Sequence, residues 1–421
     1  MLSSVAMGAT EAHRSIEALW RIESPRIIAG LARLVRDVGI AEELAQDALV
    51  TALEQWPRTG VPDNPGAWLT TTAKNRALDW LRRQRMLARH HEALGYELEM
   101  EAPADDGIGD DLLRLIFVAC HPVLATEART ALTLRLLGGL TTTEIARAFL
   151  VPEPTIAQRI VRAKRALSDA RVPFEVPGSG ALAERLSSVL EVIYLIFNEG
   201  YSATAGADWM RPALCEEALR IGRVLAGLMP NASEVHGLVA LMEIQASRTR
   251  ARQGPDGEPV LLMEQNRALW DRLSIGRGLA SLARAEVLAD GPGTYLLQAA
   301  IAACHARAVT AADTDWARIV TLYDDLTALT ASPVIELNRA VAIAMARGPA
   351  AGLELVDRLV VDGRLAHYHL LPSVRGDLLA RLGRRDEARR EFERAASLTQ
   401  NERERRLLLD RSEHVVHAVD R

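Results

Sequence analysis

The sequence predicts an all-α fold, and three observations support this prediction. Apolar residues recur at helical spacing along most of the chain, and the alternation typical of strands is scarce. Aromatic residues, which strands favour, make up only 4% of the chain. The composition, 49% hydrophobic and 25% charged, is that of a globular protein. Because 421 residues suffice for roughly three domains, we expect several helical domains.

Membrane, metal and cofactor sites are not predicted. No apolar run approaches the ~18 residues that a membrane-spanning helix needs, and the first residues lack the pattern of a signal peptide. The three cysteines, Cys120, Cys215 and Cys304, are far apart and have no metal-ligand spacing. We therefore expect a cytoplasmic protein with buried cysteines, no cofactor and no contact with a membrane.

Residues 11–87 are predicted to form one helical unit. Leu31, Leu34 and Val35 indicate an amphipathic helix. The next segment, AEELAQDALVTALEQW, has apolar residues on one predicted face. Its acidic residues are expected on the solvent face, namely Glu42, Glu43, Asp47 and Glu54.

The loop PRTGVPDNPG leads into a third predicted helix, AWLTTTAKNRALDWLRRQR, which mixes aromatic, amide, carboxylate and guanidinium groups. Such a mixture suits single-stranded nucleic acid, and a loop beside it can hold a base flipped out of the stack. The competing interpretation is a packed helix with a solubilising basic end. For Trp68 and Trp80 individually we favour core packing, whereas for the arginine cluster we favour nucleic acid.

A flexible acidic linker is predicted at residues 93–109. Seven acidic residues lie close together here, with Pro103, Gly107 and Gly109 among or beside them. They are Glu97, Glu99, Glu101, Asp105, Asp106, Asp110 and Asp111. The overall net charge is −5. When the seven acids are set aside, the two predicted units on either side of the linker carry only a modest positive charge. This argues against tight stand-alone DNA binding, because affinity depends on phosphate neutralisation.

The stretch TTTEIARAFLVPEPTIAQRIVRAKRALSDA, residues 141–170, predicts a helix-turn-helix. Thr141 offers a helix cap, and prolines at the turn suit the start of the second helix. In that helix Ile156, Ile160, Ala163 and Leu167 form an apolar stripe. Polar and basic residues on the opposite side can read bases or grip phosphates in a major groove. The alternative is a solvated basic helix in an ordinary bundle.

After the breaker run VPFEVPGSG, assigned to a linker at 172–180, we predict a helical domain at 181–294 and helical repeats at 295–421. LPSVRGDLLARLGRRDEARREFERAASL resembles a tetratricopeptide repeat (TPR), with Gly376, Ala388 and Phe392 at its small and large positions. One repeat cannot bury its face alone, so neighbouring hairpins are expected. The histidines of this extension lack metal-ligand or catalytic spacing, so we expect a protein-contact surface and no enzyme.

The order of acidic helix, NPGAWL loop, KNRALDWLRR helix, acidic linker and helix-turn-helix resembles the extracytoplasmic-function (ECF) sigma factors of bacteria. In that resemblance residues 1–92 correspond to region 2, and residues 110–171 correspond to region 4. The resemblance implies a factor that directs core RNA polymerase to promoters and aids their melting. The implied partners are promoter DNA and core polymerase, through the clamp coiled coil of its large subunit and its flap region.

The resemblance also implies residue roles. Polymerase binding falls to Glu42, Glu43, Gln46, Asp47 and Leu49. Capture of the −10 element falls to Asp63, Asn64, Trp68, Asn75, Asp79, Arg82 and Arg83. Reading of the −35 element falls to Ala157, Gln158, Val161, Arg162 and Arg165. Ala157 stands where many relatives carry a longer polar side chain, and Pro154 is unusual beside the turn.

The segments LIFNEGYSAT, GTYLLQAAIAACHA and SPVIELNRAVA resemble the extension of a subgroup of these factors. That resemblance implies regulation by the extension and a partner among small YCII-related (DGPF) proteins. Two alternatives remain: a stand-alone helix-turn-helix regulator with a TPR-like sensory domain, and a scaffold without DNA binding. A stand-alone regulator would have no need of the acidic helix and base-capture loop.

Overall fold

The computed structural model describes residues 2–91 and 108–417. These residues divide into two compact units, with the boundary between Ile193 and Tyr194. Helices dominate both units, and the strands found in the described ranges are two residues long. The predicted all-α fold is confirmed. Within the described residues, no helix has the length and apolar character needed to cross a membrane.

The described part of the first unit contains seven helices and the first part of an eighth. They are α1 Leu2–Val35, α2 Val38–Thr59, α3 Pro65–His91, α4 Ile108–Ala119, α5 Thr126–Leu136, α6 Thr142–Phe149, α7 Glu153–Asp169 and α8 Ser179–Tyr201. Helices α1, α2 and α3 pack on one another around alanine-rich faces. The predicted helix around Leu31 and Val35 is confirmed, and both side chains are buried in this core.

Local chemistry fixes the beginnings of α2 and α3. The Asp37 carboxylate accepts a hydrogen bond from the Ile40 amide at 2.9 Å and caps α2. The Asn64 side-chain oxygen accepts one from the Ala67 amide at 3.0 Å at the start of α3. Each cap satisfies an amide that the helix itself cannot pair. The Asn64 cap also fixes the point where the loop between α2 and α3 ends.

Helix α4 begins at Ile108, slightly before the predicted end of the acidic linker. Asp111, which we had grouped with the linker acids, is 4% exposed. Its carboxylate pairs with Arg33 at 3.2 Å and with Arg114 at 2.8 Å. Residues 93–107 of the predicted linker lie outside the described residues.

Helix α8 belongs partly to the first unit, which the sequence did not indicate. Residues 172–178 are non-helical, and α8 then starts inside the predicted linker. The Arg185 guanidinium donates to the Phe117 carbonyl at 2.7 Å, and the Ser188 hydroxyl donates to the Cys120 carbonyl at 2.7 Å. The start of the extension is therefore bonded to α4, and the unit boundary falls at Ile193.

Up to residue 417, the second unit continues α8 and adds ten α-helices, three 3₁₀ turns and one small parallel pair of strands. The helices are α9 Pro212–Leu228, α10 Ser233–Ala246, α11 Arg272–Leu288, α12 Thr294–Arg307, α13 Trp316–Leu329, α14 Pro333–Arg347, α15 Pro349–Asp362, α16 Leu370–Arg381, α17 Arg385–Leu398 and α18 Glu402–His417. The 3₁₀ turns are Thr249–Ala251, Leu262–Glu264 and Arg267–Leu269. Strand β1, Ala205–Gly206, pairs with β2, Gln400–Asn401.

Successive helices from α13 to α18 pack on one another. At Gly376 an added Cβ would lie 3.0 Å from the Phe392 ring, so the small residue lets α16 and α17 approach. Phe392, Ala388 and Ala395 are fully buried between them. This small-and-large pattern is the one that the sequence predicted, and the TPR assignment stays a prediction.

Candidate nucleic-acid interface

Helix α6 is capped at its start, and a tight turn joins its end to α7. The Thr141 hydroxyl accepts from the Glu144 amide at 3.1 Å, and the Glu144 carboxylate accepts from the Thr141 amide at 2.8 Å, which is a capping box. Leu150 ends α6 with a positive φ of 51°, and Pro152 precedes α7. The capping box fixes the start of α6, and the turn between the helices runs from Leu150 to Pro152, so the predicted helix-turn-helix is present.

Helix α7 has two chemically distinct faces. Its apolar stripe is buried, as the sequence predicted: Ile156, Ile160, Ala163 and Leu167. The five residues assigned to the −35 element are all exposed: Ala157, Gln158, Val161, Arg162 and Arg165. Val161 is 63% exposed. The Arg165 guanidinium lies 3.5 Å from the Asp169 carboxylate on the same helix, in a solvent-exposed ion pair.

The residues assigned to the −10 element lie along the loop before α3 and on α3 itself. Those that are exposed are Asp63, Asn64, Asn75, Asp79, Arg82 and Arg83. Trp68 is half-buried, and its ring meets Trp56 edge-to-face at a centroid distance of 5.3 Å. Trp80 is half-buried too. The packing of Trp68 on Trp56 agrees with the core role that we favoured for it.

A groove of about 510 Å³ lies between α2 and α3. It is lined by Leu44, Asp47, Arg76, Asp79, Arg82 and Arg83. The groove thus joins Asp47, assigned to polymerase, with three residues assigned to DNA. Arg76 was left out of those assignments, although it connects the helices: its guanidinium donates to the Thr51 hydroxyl at 2.7 Å and lies 3.4 Å from the Asp47 carboxylate.

The predicted outward orientation of Glu42 is wrong. Its side chain is 3% exposed, and its carboxylate lies 2.6 Å from the Arg135 guanidinium and pairs with the Lys164 ammonium. We call these three residues the Glu42 cluster. Helical period alone placed Glu42 on the polar side of α2, but α5 and α7 cover that side in the folded unit. Glu42 is therefore inaccessible to a partner in this arrangement.

The other residues assigned to polymerase are more open. Glu43 and Asp47 are exposed, whereas Gln46 and Leu49 are half-buried. The Gln46 amide donates to the Glu42 carboxylate, so it borders the same cluster. The assigned polymerase surface is therefore split between an open part and a part covered by α5 and α7.

A second ion pair connects α1 with the helix-turn-helix. Arg21 lies 2.7 Å from the Glu144 carboxylate, the same carboxylate that caps α6. Burial raises the pKa of Glu144, but hydrogen bonds from Thr141 and the positive charge of Arg21 outweigh this and lower it. Near this point Gly139 has a φ of 64°, and an added Cβ would lie 3.1 Å from the Arg21 Cα. The loop before α6 thus packs closely on α1.

Sequence reasoning missed Arg135 and Lys164, the two cations that face Glu42. One signal was available: Lys164 is one of only two lysines in the chain and lies on the recognition helix. It is on the side turned away from Arg162 and Arg165, which indicates a contact within the protein.

Three protein families match segments of this chain. Residues 19–86 match Sigma-70 region 2, residues 114–167 match Sigma-70 region 4, and residues 185–286 match a family of unknown function, DUF6596. The first match contains α2 and most of α3, and the second contains the helix-turn-helix. No solved structure matches the chain.

Curated relatives support the same assignment. The chain is 44% identical over 384 residues, 90% of each protein, to an uncharacterised protein of Rhizobium meliloti (strain 1021). It is 31% identical over 149 residues to the ECF RNA polymerase sigma factor SigK of Mycobacterium ulcerans (strain Agy99), covering 34% of this chain and 78% of SigK. It is 26% identical over 178 residues to the ECF RNA polymerase sigma factor SigC of Mycobacterium tuberculosis (strain CDC 1551 / Oshkosh), covering 42% of this chain and 95% of SigC. The chain therefore belongs to the ECF sigma factors and carries a long helical extension after region 4.

Proposed function

We propose that this sigma factor directs core RNA polymerase to specific promoters, aids their melting, and is regulated by its extension. The observation that carries the proposal is the pairing of two different nucleic-acid surfaces in one unit. The exposed face of α7 suits duplex DNA, and the loop and groove at α3 suit unpaired bases. As a partner of polymerase, the protein would act in the cytoplasm and without catalysis of its own.

For the −35 element, the proposed readers lie on α7. Arg162 and Arg165 carry guanidinium groups that can bind guanine edges or phosphates, and Gln158 carries an amide that can bind adenine. Ala157 and Val161 offer apolar contact with a thymine methyl group. The buried stripe on the other side holds this face rigidly outward.

For the −10 element, the proposed site runs from the loop at Asp63 and Asn64 to the groove at Asp79. Trp68 offers a partly exposed ring beside the loop, while Arg82 and Arg83 can follow the backbone of a separated strand. Asn75 is exposed on the same helix and can bind a base edge.

For polymerase binding, Glu43, Asp47 and the accessible parts of Gln46 and Leu49 form the proposed contact with the clamp coiled coil. Glu42 can join them only after α5 and α7 move away. We therefore propose that binding of core polymerase is coupled to separation of region 4 from region 2, which also lets region 4 reach the flap.

The extension is the proposed regulator. Regions 2 and 4 suffice for promoter recognition, so the extension is available for another role. Its first helix is bonded to α4 through Arg185 and Ser188. A small YCII-related (DGPF) protein is a proposed partner for it. A stand-alone regulator with a sensory extension is the second candidate, favoured by the exposed face of α7 alone.

The decisive experiment is run-off transcription with purified core polymerase on genomic promoter fragments, with a pull-down of core polymerase in parallel. We expect specific initiation that requires the protein and is lost in an Arg162→Ala/Arg165→Ala double variant. The Arg250→Ala variant in the second unit controls for replacement of an exposed arginine elsewhere in the chain. Operator binding without core binding would replace the proposal by the stand-alone regulator.

Regulation by the extension is tested with a chain truncated after Ile193, which keeps the bonds from Arg185 and Ser188 to α4. A changed transcript yield relative to the full chain, in either direction, supports regulation. Equal yield and equal response to the partner would show that residues 194–421 do not regulate initiation.

A further inference from the structure

Two buried arginines of the second unit have no acidic partner. Arg248 and Arg252 flank the 3₁₀ turn Thr249–Ala251, and they are 8% and 7% exposed. Within the described ranges, no carboxylate forms an ion pair with either guanidinium. We call these two residues the arginine pair. Buried cations are normally paired, because removing a charge from water is costly.

The nearby buried acids are already engaged. The Glu199 carboxylate pairs with Arg211 and also accepts from the Thr204 hydroxyl at 2.9 Å. The Glu243 carboxylate lies 2.6 Å from the Arg223 guanidinium. Both carboxylates therefore already balance arginines other than Arg248 and Arg252.

A third buried arginine close by shows what a structural role looks like. The Arg267 guanidinium donates to the His305 carbonyl at 2.6 Å, to the Ala308 carbonyl at 2.8 Å and to the Thr314 hydroxyl at 3.2 Å. Its hydrogen bonds tie the turn before α11 to the end of α12. Among the residues that the structure describes, Arg248 and Arg252 have no comparable set of acceptors.

Aromatic rings hold the arginine pair in place. The Arg252 guanidinium carbon lies 3.4 Å from the Tyr201 ring centroid and 5.5 Å from that of Trp209. The Arg248 guanidinium carbon lies 5.7 Å from Tyr201 and 5.8 Å from Trp270. Ring faces attract and orient a guanidinium plane, but they carry no net negative charge.

Four unsatisfied buried donors lie in the arginine pair and the tryptophans beside it. Arg248 Nε, Arg252 Nη1, Trp209 Nε1 and Trp270 Nε1 are buried and have no hydrogen-bond partner in the described part of the chain. An indole or guanidinium nitrogen can only donate, so the missing group must be an acceptor. Tyr201 and Trp209 are only half-buried, which leaves an approach from solvent.

Electrostatics indicates the charge of that group. Burial lowers the pKa of the Arg252 guanidinium; Tyr201 opposes this, while the neighbouring Arg248 charge lowers it further. Burial also lowers the pKa of His305, and the charges of Arg248 and Arg267 lower it further, to about 4. The site thus has excess positive charge, which one dianion would neutralise.

We propose that Arg248 and Arg252 form a binding site for the phosphoryl group of a small molecule. Two guanidinium groups can each donate two parallel hydrogen bonds to a tetrahedral oxyanion, and a doubly charged phosphoryl group balances both cations. The site lies in the DUF6596 segment, between residues 185 and 286. It does not depend on the promoter function, because ligand binding can be measured without polymerase or DNA.

The test uses the full chain in a phosphate-free chloride buffer, with inorganic phosphate as the probe. Calorimetry and thermal unfolding should show that phosphate binds and raises Tm, whereas acetate does neither. Arg248→Met and Arg252→Met should each weaken phosphate binding by about tenfold or more, as expected for loss of charged hydrogen bonds. Arg250→Met, an exposed arginine on the same 3₁₀ turn, should bind like the parent.

A second readout separates ligand binding from a structural role. Without phosphate, the methionine variants should be as stable as the parent or more stable, because each removes an unpaired buried charge. Lysine at either position keeps the positive charge but cannot donate two parallel hydrogen bonds as a guanidinium does. Arg248→Lys and Arg252→Lys should therefore bind phosphate weakly, which tests the site even if a methionine variant fails to fold. Absence of phosphate binding, equal binding by all variants, or a preference for acetate would overturn the proposal.

Discussion

The Glu42 cluster and the arginine pair each place two cationic side chains largely out of solvent, yet they are built on opposite principles. In the first unit, one carboxylate that is 3% exposed receives both Arg135 and Lys164. In the second unit, Arg248 and Arg252 are 8% and 7% exposed, and no carboxylate of the described residues pairs with them. Aromatic faces orient the second set of charges, whereas a counter-charge holds the first.

The difference distinguishes a contact that holds helices of the first unit together from the proposed ligand site in the second unit. A buried acid between two cations binds three helices together, and removing one member leaves the others unpaired. An unpaired set of donors is stabilised by anything that supplies the missing charge. Burial of charged groups alone therefore does not show their role; the sign and number of their partners do.

The largest expected effect is loss of the Glu42 cluster. Glu42→Ala leaves Arg135 and Lys164 facing each other without a counter-charge, so we expect the closed packing of α2 on α5 and α7 to weaken by about 3 kcal/mol. Native-state hydrogen exchange of the amides of these helices, measured in the full chain, reports this local free energy.

Glu43→Ala is the matched control for this change. Glu43 is the next residue on α2 and is exposed, so its loss should change the same free energy by less than about 0.5 kcal/mol. If Glu42→Ala and Glu43→Ala exchange alike, the Glu42 cluster does not hold the unit closed, and the comparison with the arginine pair fails.

The next effect concerns arginines that are neither buried nor paired in the interior. Arg162→Ala and Arg165→Ala should each weaken binding to −35 DNA by about 1–3 kcal/mol if the side chain reads a base. Fluorescence anisotropy with the promoter duplex, in the presence of core polymerase, measures the loss. Normal affinity of both variants would reject the exposed face of α7 as the reading face; Arg250→Ala, far along the chain, controls for net charge.

A smaller effect follows from the histidine beside the arginine pair. The pKa of His305 is about 4 in the folded protein, against 6.5 ordinarily, because of burial and the charges of Arg248 and Arg267. As pH falls from 6.5 to 4, the unfolded chain takes up this proton and the folded chain does not, so stability declines over that window. His305→Gln should flatten the decline in Tm. An NMR titration of His305 with a pKa near 6.5 would contradict this.

Much of the architecture could be predicted from the sequence because it follows from local rules. The buried stripe of α7, the turn after Phe149 and the cap at Thr141 depend on residues close in the chain, where period and capping decide the outcome. The exposed face with Arg162 follows once the stripe is known. These features required no knowledge of distant contacts.

The Glu42 cluster and the arginine pair could not be predicted in the same way. Arg135 lies 93 positions from Glu42, and nothing in the period of α2 shows which neighbour covers its polar side. Likewise Arg248 and Arg252 are polar residues at a helix end, a place that is usually solvated. Their burial depends on Tyr201 and Trp270, which lie on separate segments. In both cases tertiary contacts override the local pattern.

The smallest effect uses the cysteines to compare the two units. A nearby cation ordinarily lowers the pKa of a thiol, but burial outweighs Arg129 and Arg185 at Cys120 and raises its pKa to about 11. Burial likewise outweighs Arg252 at Cys215 and raises its pKa to about 12. Cys304 is only half-buried. At pH 8 iodoacetamide should therefore modify Cys304 first, and the other two only after unfolding, as peptide mass spectrometry would show. Early labelling of Cys215 would mean that the segment carrying the arginine pair opens readily, and a preformed ligand site there would have to be abandoned.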